Sequence, residues 1–241
     1  MGKNLIMQRR GKGSPTFRAP SFKYFGEARY NPITNEERTG FISGVIKDLV
    51  HSSGHYSPLM VVEYENKTKA LLIAPEGVRV GDNVFLGSTA QVSPGSVMPL
   101  SKIPEGTEVF NIESQPGDGG KYARSSGSTA RIVSKQKGKV LVEMPSKKLK
   151  EFHGECRATI GSIAGFGRVE KPLYKAGNKF FKMMAKNKRY PIVRGVAMNA
   201  VDHPYGSGRG SHKGKPTIAP RWAPPGAKVG KIRPRRTGHK R

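Results

Sequence analysis

Asp202 and His203 are adjacent in the chain, and a carboxylate that orients an imidazole is an arrangement used in general acid–base catalysis. Neighbours in an extended segment point to opposite sides, so an Asp202–His203 hydrogen bond requires a turn here. A structural His203, bonded to backbone or to phosphate, is the preferred reading, and no catalytic residue is assigned. The other histidines, at 51, 55, 153, 212 and 239, form no metal set. His51 and His55 are four apart, but Ser52, Ser53 and Gly54 between them indicate a turn, and a third ligand is wanting. A Walker A loop needs Gly-Lys followed by Ser or Thr, whose hydroxyl holds Mg²⁺. None of the Gly-Lys pairs at Gly2, Gly11, Gly120, Gly138, Gly214 and Gly230 continues that way. No cofactor is expected, although Mg²⁺ bridging carbonyls to phosphate is left open.

Charge says more than any motif. The 241 residues carry 43 Lys+Arg against 17 Asp+Glu, a formal net charge of +26. Self-repulsion of that size disfavours a free-standing small-molecule enzyme and favours a polyanionic partner. Residues 41–115 are net −3, whereas 116–193 are net +13 and 194–241 net +11. The charge therefore belongs to the flanks and the second half. No stretch approaches the roughly 18 apolar residues of a membrane span. Met1–Arg10 does not read as a secretory signal. Cys156 is the sole cysteine, so an intramolecular disulfide and a cysteine-built zinc finger are excluded, and a reducing compartment is expected. Cys156 itself reads as a small buried hydrophobe.

These residues need elements to position them. Short apolar runs broken by turns begin at Phe41–Ile46 and continue through Leu59–Tyr64, Ala70–Ile73 and Val78–Leu86, the last interrupted by Gly81-Asp82. A second series follows at Thr107–Ile112, Thr129–Val133, Lys139–Met144 and Cys156–Ile160. β-Branched and aromatic residues between Gly, Asp and Pro are a strand-and-turn signature. The fold class expected is mainly β. Two small antiparallel barrels would remove the exposed edges, and a single larger sandwich is the alternative. One helix is expected over Asn178–Asn187, with Phe180, Phe181 and Met184 on one side and Lys179, Lys182 and Lys186 around the other. It should end before Pro191. Gly11–Pro15 and the run from Gly206 to Arg241 have almost no aliphatic residues to bury. They read as extensions that order on a partner, with glycines permitting close approach and cations meeting phosphates. Arg18, Phe22, Lys23, Tyr24, Phe25, Arg29 and Tyr30 interleave cations with rings, as suits unpaired bases in structured RNA. The same rings equally suit anchoring an N-terminal arm on the first barrel, a reading compatible with the first.

Several stretches resemble the universal ribosomal protein L-two family in its archaeal form. Val193-Arg194-Gly195-Val196-Ala197-Met198-Asn199, followed by Val201-Asp202-His203-Pro204, is similar to that family's signature. Gln8–Gly11 with Gly13–Pro15, Tyr122–Ser125, Cys156–Gly161, Ala223–Gly226 and Arg235–Gly238 carry the resemblance along nearly the whole chain. Ala200 departs from the family's usual proline, and Tyr205-Gly206-Ser207-Gly208 from a more histidine- and glycine-rich run. The loop after His203 is accordingly expected to be less rigid or to take another path.

The resemblance implies an OB-like barrel and then an SH3-like barrel, with long irregular basic extensions at both ends that thread into large-subunit ribosomal RNA. The domains expected are residues 1–38 (extension), 39–95 (OB-like), 96–193 (SH3-like, with the short helix) and 194–241 (extension). The partners implied are large-subunit ribosomal RNA, neighbouring ribosomal proteins and the small subunit, in the cytoplasmic ribosome, with no membrane and no small-molecule substrate. The RNA-binding residues expected are Arg9, Arg10, Lys12, Arg18, Lys23, Arg124, Arg194, Asn199, His203, Arg209, Lys213, Lys215, Arg221, Trp222, Lys228, Arg235 and Arg236. Asp202 and His203 are expected beside the peptidyl transferase centre in a supporting role, the chemistry belonging to RNA. A DNA-architectural protein and an enzyme using Asp202-His203 are the rival readings.

Overall fold

In the computed structural model, which describes residues 2–231, the chain divides into two units. One is Ser21–Leu173, and the other combines Met1–Pro20 with Tyr174–Arg241. Arg235 and Arg236 lie outside the described residues.

The Ser21–Leu173 unit is built on one ten-stranded sheet. Its first strands are β1 (Phe41–Val50), β2 (Leu59–Tyr64), β3 (Lys69–Ile73), β4 (Asn83–Gly87) and β5 (Val97–Pro99). They are followed by β6 (Glu108–Phe110), β7 (Ala130–Gln136), β8 (Lys139–Glu143), β9 (Leu149–His153) and β10 (Arg157–Ile160). The spatial order is β3-β2-β1-β4-β5-β10-β6-β7-β8-β9. Pairing is antiparallel except between β4 and β5, which meet in parallel at Leu86 and Val97. The mainly β expectation holds, and β3 and β9 form the two edges of an open order.

Alternation explains most of these strands. In β8, Val140 and Val142 are buried while Lys139 is exposed, the period-2 pattern of a sheet with one face covered. β10 is buried at all four positions, as befits a strand with neighbours on both sides and cover on both faces. β1 carries a register shift between Ile46 and Asp48 where it pairs with β2. A bulge of that kind bends the strand and increases its twist. The Val78–Leu86 run yields a strand only in its second half, because Gly81 adopts φ +96° in the preceding turn.

Two large apolar cores flank the middle of the sheet, and a smaller cluster of Ala28, Leu59, Ile73, Phe110 and Ile163 bridges them. Ile42, Ile46, Met60, Val62, Leu72, Val84 and Leu86 pack around β1–β4. Leu100, Ile103, Val109, Ile132, Val142, Phe152 and Cys156 pack around β6–β9. Cys156 is fully buried, and burial pushes its thiol up to about 11, so it packs as a small hydrophobe rather than reacting.

At the joint between the cores lies a buried ionic cluster that sequence reading did not anticipate. Arg157 on β10 is 1% exposed. Its Nη2 and Nε donate to Glu113 Oε1 at 2.8 and 3.1 Å, and its Nη1 donates to Glu37 Oε1 at 3.0 Å and to the Asn31 carbonyl at 3.0 Å. Glu113 also accepts the backbone N–H groups of Arg157, Gly117 and Gly119. Burial opposes charge on Arg157, yet the hydrogen bonds it donates to Glu113 and the nearby Glu37 carboxylate raise its pKa. Burial dominates at Glu37, whose carboxyl is raised despite the guanidinium beside it. Tyr30 lies under Arg157, with its ring 5.1 Å away, and its hydroxyl donates to the Asn111 carbonyl at 2.8 Å. Glu37 is held by a helix of barely more than one turn, α2 (Asn35–Thr39), whose N-cap Thr34 accepts the Glu37 N–H.

The other unit contains α1 (Ile6–Gly11) and α3 (Ala176–Met184). The expected Asn178–Asn187 helix is therefore present, displaced two to three residues toward the N-terminus. Gln8 accepts the Leu5 N–H at 2.9 Å and so starts α1. Asn187 follows α3 with φ +49°, and its amide donates to the Thr16 and Arg18 carbonyls at 2.9 and 2.7 Å. That clasp fixes the segment between α1 and residue 18 against the end of α3.

Candidate nucleic-acid interface

The two units differ sharply in charge. Met1–Pro20 with Tyr174–Arg241 contains 23 basic residues against one acidic, net +22, which leaves 20 against 16, net +4, for Ser21–Leu173. The single acid is Asp202, and its carboxylate lies 4.0 Å from Lys3 Nζ. A field of one sign over a unit this small concentrates polyanions at its surface.

His203 is held by backbone, not by Asp202. The Asn199 carbonyl accepts the N–H groups of Asp202 and His203 at 3.0 and 3.2 Å, which makes the turn that separates the two side chains. His203 Nδ1 accepts the Tyr205 N–H at 3.0 Å. A backbone amide can only donate, so Nδ1 is unprotonated and the ring is the neutral Nε2–H tautomer, whose Nε2–H is a donor. The ring also lies on Gly195, where a Cβ would come within 2.3 Å of it. Partial burial lowers the imidazole pKa from its ordinary 6.5. A depressed base favours the fold fully above 6.5, and that contribution is lost as pH falls from 6.5 through the lower folded value. An NMR titration should place the His203 midpoint below 6.5, with the Nε2–H tautomer above it. A midpoint above 6.5 would contradict the Tyr205 hydrogen bond.

Tyr205 is the anchor of the C-terminal segment. It is 9% exposed, and its hydroxyl reaches the Pro216 and Val229 carbonyls at 3.3 and 3.4 Å, both long for a hydroxyl donor. Gly230 passes so close that a Cβ would meet the Tyr205 hydroxyl and the Thr217 carbonyl at 2.4 Å each. Lys231 donates its N–H to Thr217, and Ala219 donates to Lys231. Residues 205, 216–219 and 229–231 are thus tied into one knot. The sequence signal was slight: Tyr205 is the sole aromatic between Pro191 and Arg221. Buried in this way, Tyr205 offers no stacking plane, whereas Trp222 is 85% exposed.

The knot leaves cations outside it. Arg209, Lys213, Lys215 and Arg221 are exposed, as are Arg194 and Asn199, and Lys228 is half-buried. The Arg221 guanidinium lies 5.0 Å from the Trp222 ring, a pairing that leaves both planes open to a base. In the N-terminal segment Arg9, Arg10, Lys12 and Arg18 are exposed. Arg9 and Arg10 fall in the last turn of α1.

Two expected residues belong to the sheet unit. Lys23 is exposed. Arg124 is half-buried, with its guanidinium donating to the Gly120 and Ala28 carbonyls, and burial lowers its pKa. It ties the loop after Ile112 to the N-terminal arm. Among the described residues no group of His, Cys, Asp and Glu could hold a metal ion, and no helix is long and apolar enough to cross a membrane.

The family model described as the C-terminal domain of ribosomal proteins L2 matches residues 93–223. The chain is 48% identical over 241 residues to the large ribosomal subunit protein uL2 of Methanosphaera stadtmanae, covering 100% of each chain. Its identity to the uL2 proteins of Methanococcoides burtonii and Methanocaldococcus jannaschii is 51%, over 238 and 239 residues and 99% of each chain. About half of the positions are identical over essentially the full length of these proteins, and the chain belongs to the uL2 family of large-ribosomal-subunit proteins.

Proposed function

We propose that the chain is a structural constituent of the large ribosomal subunit that binds ribosomal RNA through the unit formed by its two terminal segments. The observation that carries this is the partition of charge, net +22 against +4, in a member of a ribosomal family. Arg9, Arg10, Lys12, Arg18, Arg194, Arg209, Lys213, Lys215, Arg221 and Lys228 neutralise phosphates, and Lys23 adds one cation from the sheet unit. Trp222 stacks on a base or ribose. Asn199 and the Nε2–H of His203 donate to RNA, and with Asp202 they support RNA beside the peptidyl transferase centre without doing chemistry. Subunit association and contacts with neighbouring ribosomal proteins follow from the same placement.

The distinct β1–β4 and β6–β9 cores, bridged by the small cluster of Leu59, Ile73, Phe110 and Ile163, support reading residues 39–95 as an OB-like barrel and the strands within 96–193 as an SH3-like one, with residues 1–38 and 194–241 as extensions. Binding of the full chain to transcribed large-subunit RNA tests the proposal. Log affinity should fall linearly with log salt, losing about 10³-fold or more between 50 and 200 mM if at least six phosphates are engaged. Affinity that is flat with salt, or duplex DNA displacing the RNA at equal concentration, would refute it.

A further inference from the structure

Within the Met1–Pro20 and Tyr174–Arg241 unit, α1, the Ser14–Arg18 segment and α3 enclose an open groove of about 450 Å³. Its apolar lining comes from Ile6, Phe17, Phe180, Met184 and Tyr190, and its basic members are Arg9, Lys188 and Arg189. Phe180 and Met184 remain 44% and 57% exposed, so the groove is apolar surface left uncovered by the described residues. No acidic residue lines it. Asn187, by clasping the Thr16 and Arg18 carbonyls, holds the Phe17 side of the groove against the α3 side.

We infer that this groove receives an unpaired RNA nucleotide, its base against Phe17 and Phe180 and its flanking phosphates on Arg9, Lys188 and Arg189. Charge complementarity decides the occupant. A purely apolar peptide segment would leave three cations without partners, whereas a splayed-out base brings a π-face for the rings and phosphates for the cations together. A cleft in this size range encloses a small ligand of the dimensions of a single nucleotide. Aromatic rings are sequence-tolerant stacking platforms, so the groove selects for an unstacked base and not for its identity. A rigid duplex cannot enter, because its bases are covered by their neighbours. This inference rests on the RNA-binding reading above and adds a defined seat for one nucleotide.

The test is equilibrium binding of the full chain to transcribed large-subunit RNA across a salt series. Phe180→Leu keeps the apolar volume but removes the ring. It should weaken binding at least about fivefold while leaving the salt slope unchanged. Phe180→Tyr retains the ring and should stay within about twofold of the wild type, which separates stacking from a folding defect. Arg9→Gln should reduce the salt slope by about 0.7–0.9. Equal affinity of Phe180→Leu and wild type would overturn the inference and leave the groove to a protein neighbour. A wild-type affinity insensitive to salt would instead refute RNA binding itself, so the two failures are distinguishable.

Discussion

Replacing Arg157 by methionine is expected to cost about 3–5 kcal/mol of unfolding free energy, the range found when one partner of a buried ion pair is removed. The substitution roughly conserves volume, so the loss is electrostatic and not a cavity effect. Glu37 and Glu113, 3% and 0% exposed, would be left without their cation. Adding Glu37→Gln should recover part of the loss, because Glu37 already has a raised pKa from burial and gains little from staying charged once Arg157 is gone. Adding Glu113→Leu should recover nothing. Glu113 also accepts the N–H groups of Gly117, Gly119 and Arg157 itself, and removing that acceptor orphans buried donors. Urea unfolding of the three variants measures this ordering. An Arg157→Met protein within about 1 kcal/mol of wild type, the ordinary scatter of single substitutions, would show that the cluster is dispensable.

The second large effect is on RNA affinity. Substituting Arg209, Lys213 and Lys215 together by glutamine removes three exposed cations that form no ion pair among the described residues. If each meets one phosphate, the slope of log affinity against log salt should fall by about 2.1–2.7. Between 50 and 200 mM salt the substituted protein should then lose about 20- to 40-fold less affinity than the wild type does. Of the contacts Tyr205 makes, the substitutions remove only that of Lys213 Nζ, 5.6 Å from its ring centroid, and they leave its carbonyl partners Pro216 and Val229 in place, so thermal stability should fall only slightly. A slope unchanged within error would mean that this stretch points away from RNA.

How far the sequence discloses the molecule depends on what each residue is asked to do. β2 coincides with the Leu59–Tyr64 run because every second residue faces a core, and burial of that kind writes itself into composition. β9 was unreadable: Phe152 is the one buried residue among Leu149, Lys150, Glu151 and His153. An edge strand is kept charged to resist further pairing, and so looks like a loop. α1 and α2 are stabilised by Gln8 and Thr34 side-chain caps rather than by an apolar stripe, which a periodicity search cannot detect.

At the interface, exposed cations and Trp222 were legible because their types announce polyanion contact. Tyr205 was not. Its anchoring depends on carbonyls 11 and 24 residues away, a closure that no local pattern records. Arg157 was hidden for the same reason, since its carboxylates lie 44 and 120 residues distant.

The strand order also sets a timetable for synthesis. Among the described residues β10 is the last strand to be synthesised, yet it lies between β5 and β6, and no other strand of theirs joins the two halves of the sheet. The β1–β4 half can pair as soon as residue 87 has emerged, and the β6–β9 hairpins soon after. Both halves must then wait, each with an unpaired edge, for residues 157–160. The same four residues carry Arg157, so Glu37 and Glu113 remain hydrated carboxylates until their counter-ion arrives. A chain stalled or cleaved before β10 would keep two open edges and two unneutralised acids, a state prone to aggregate and easy for quality control to recognise. Completion of the sheet is thereby tied to the chain having been made through residue 160.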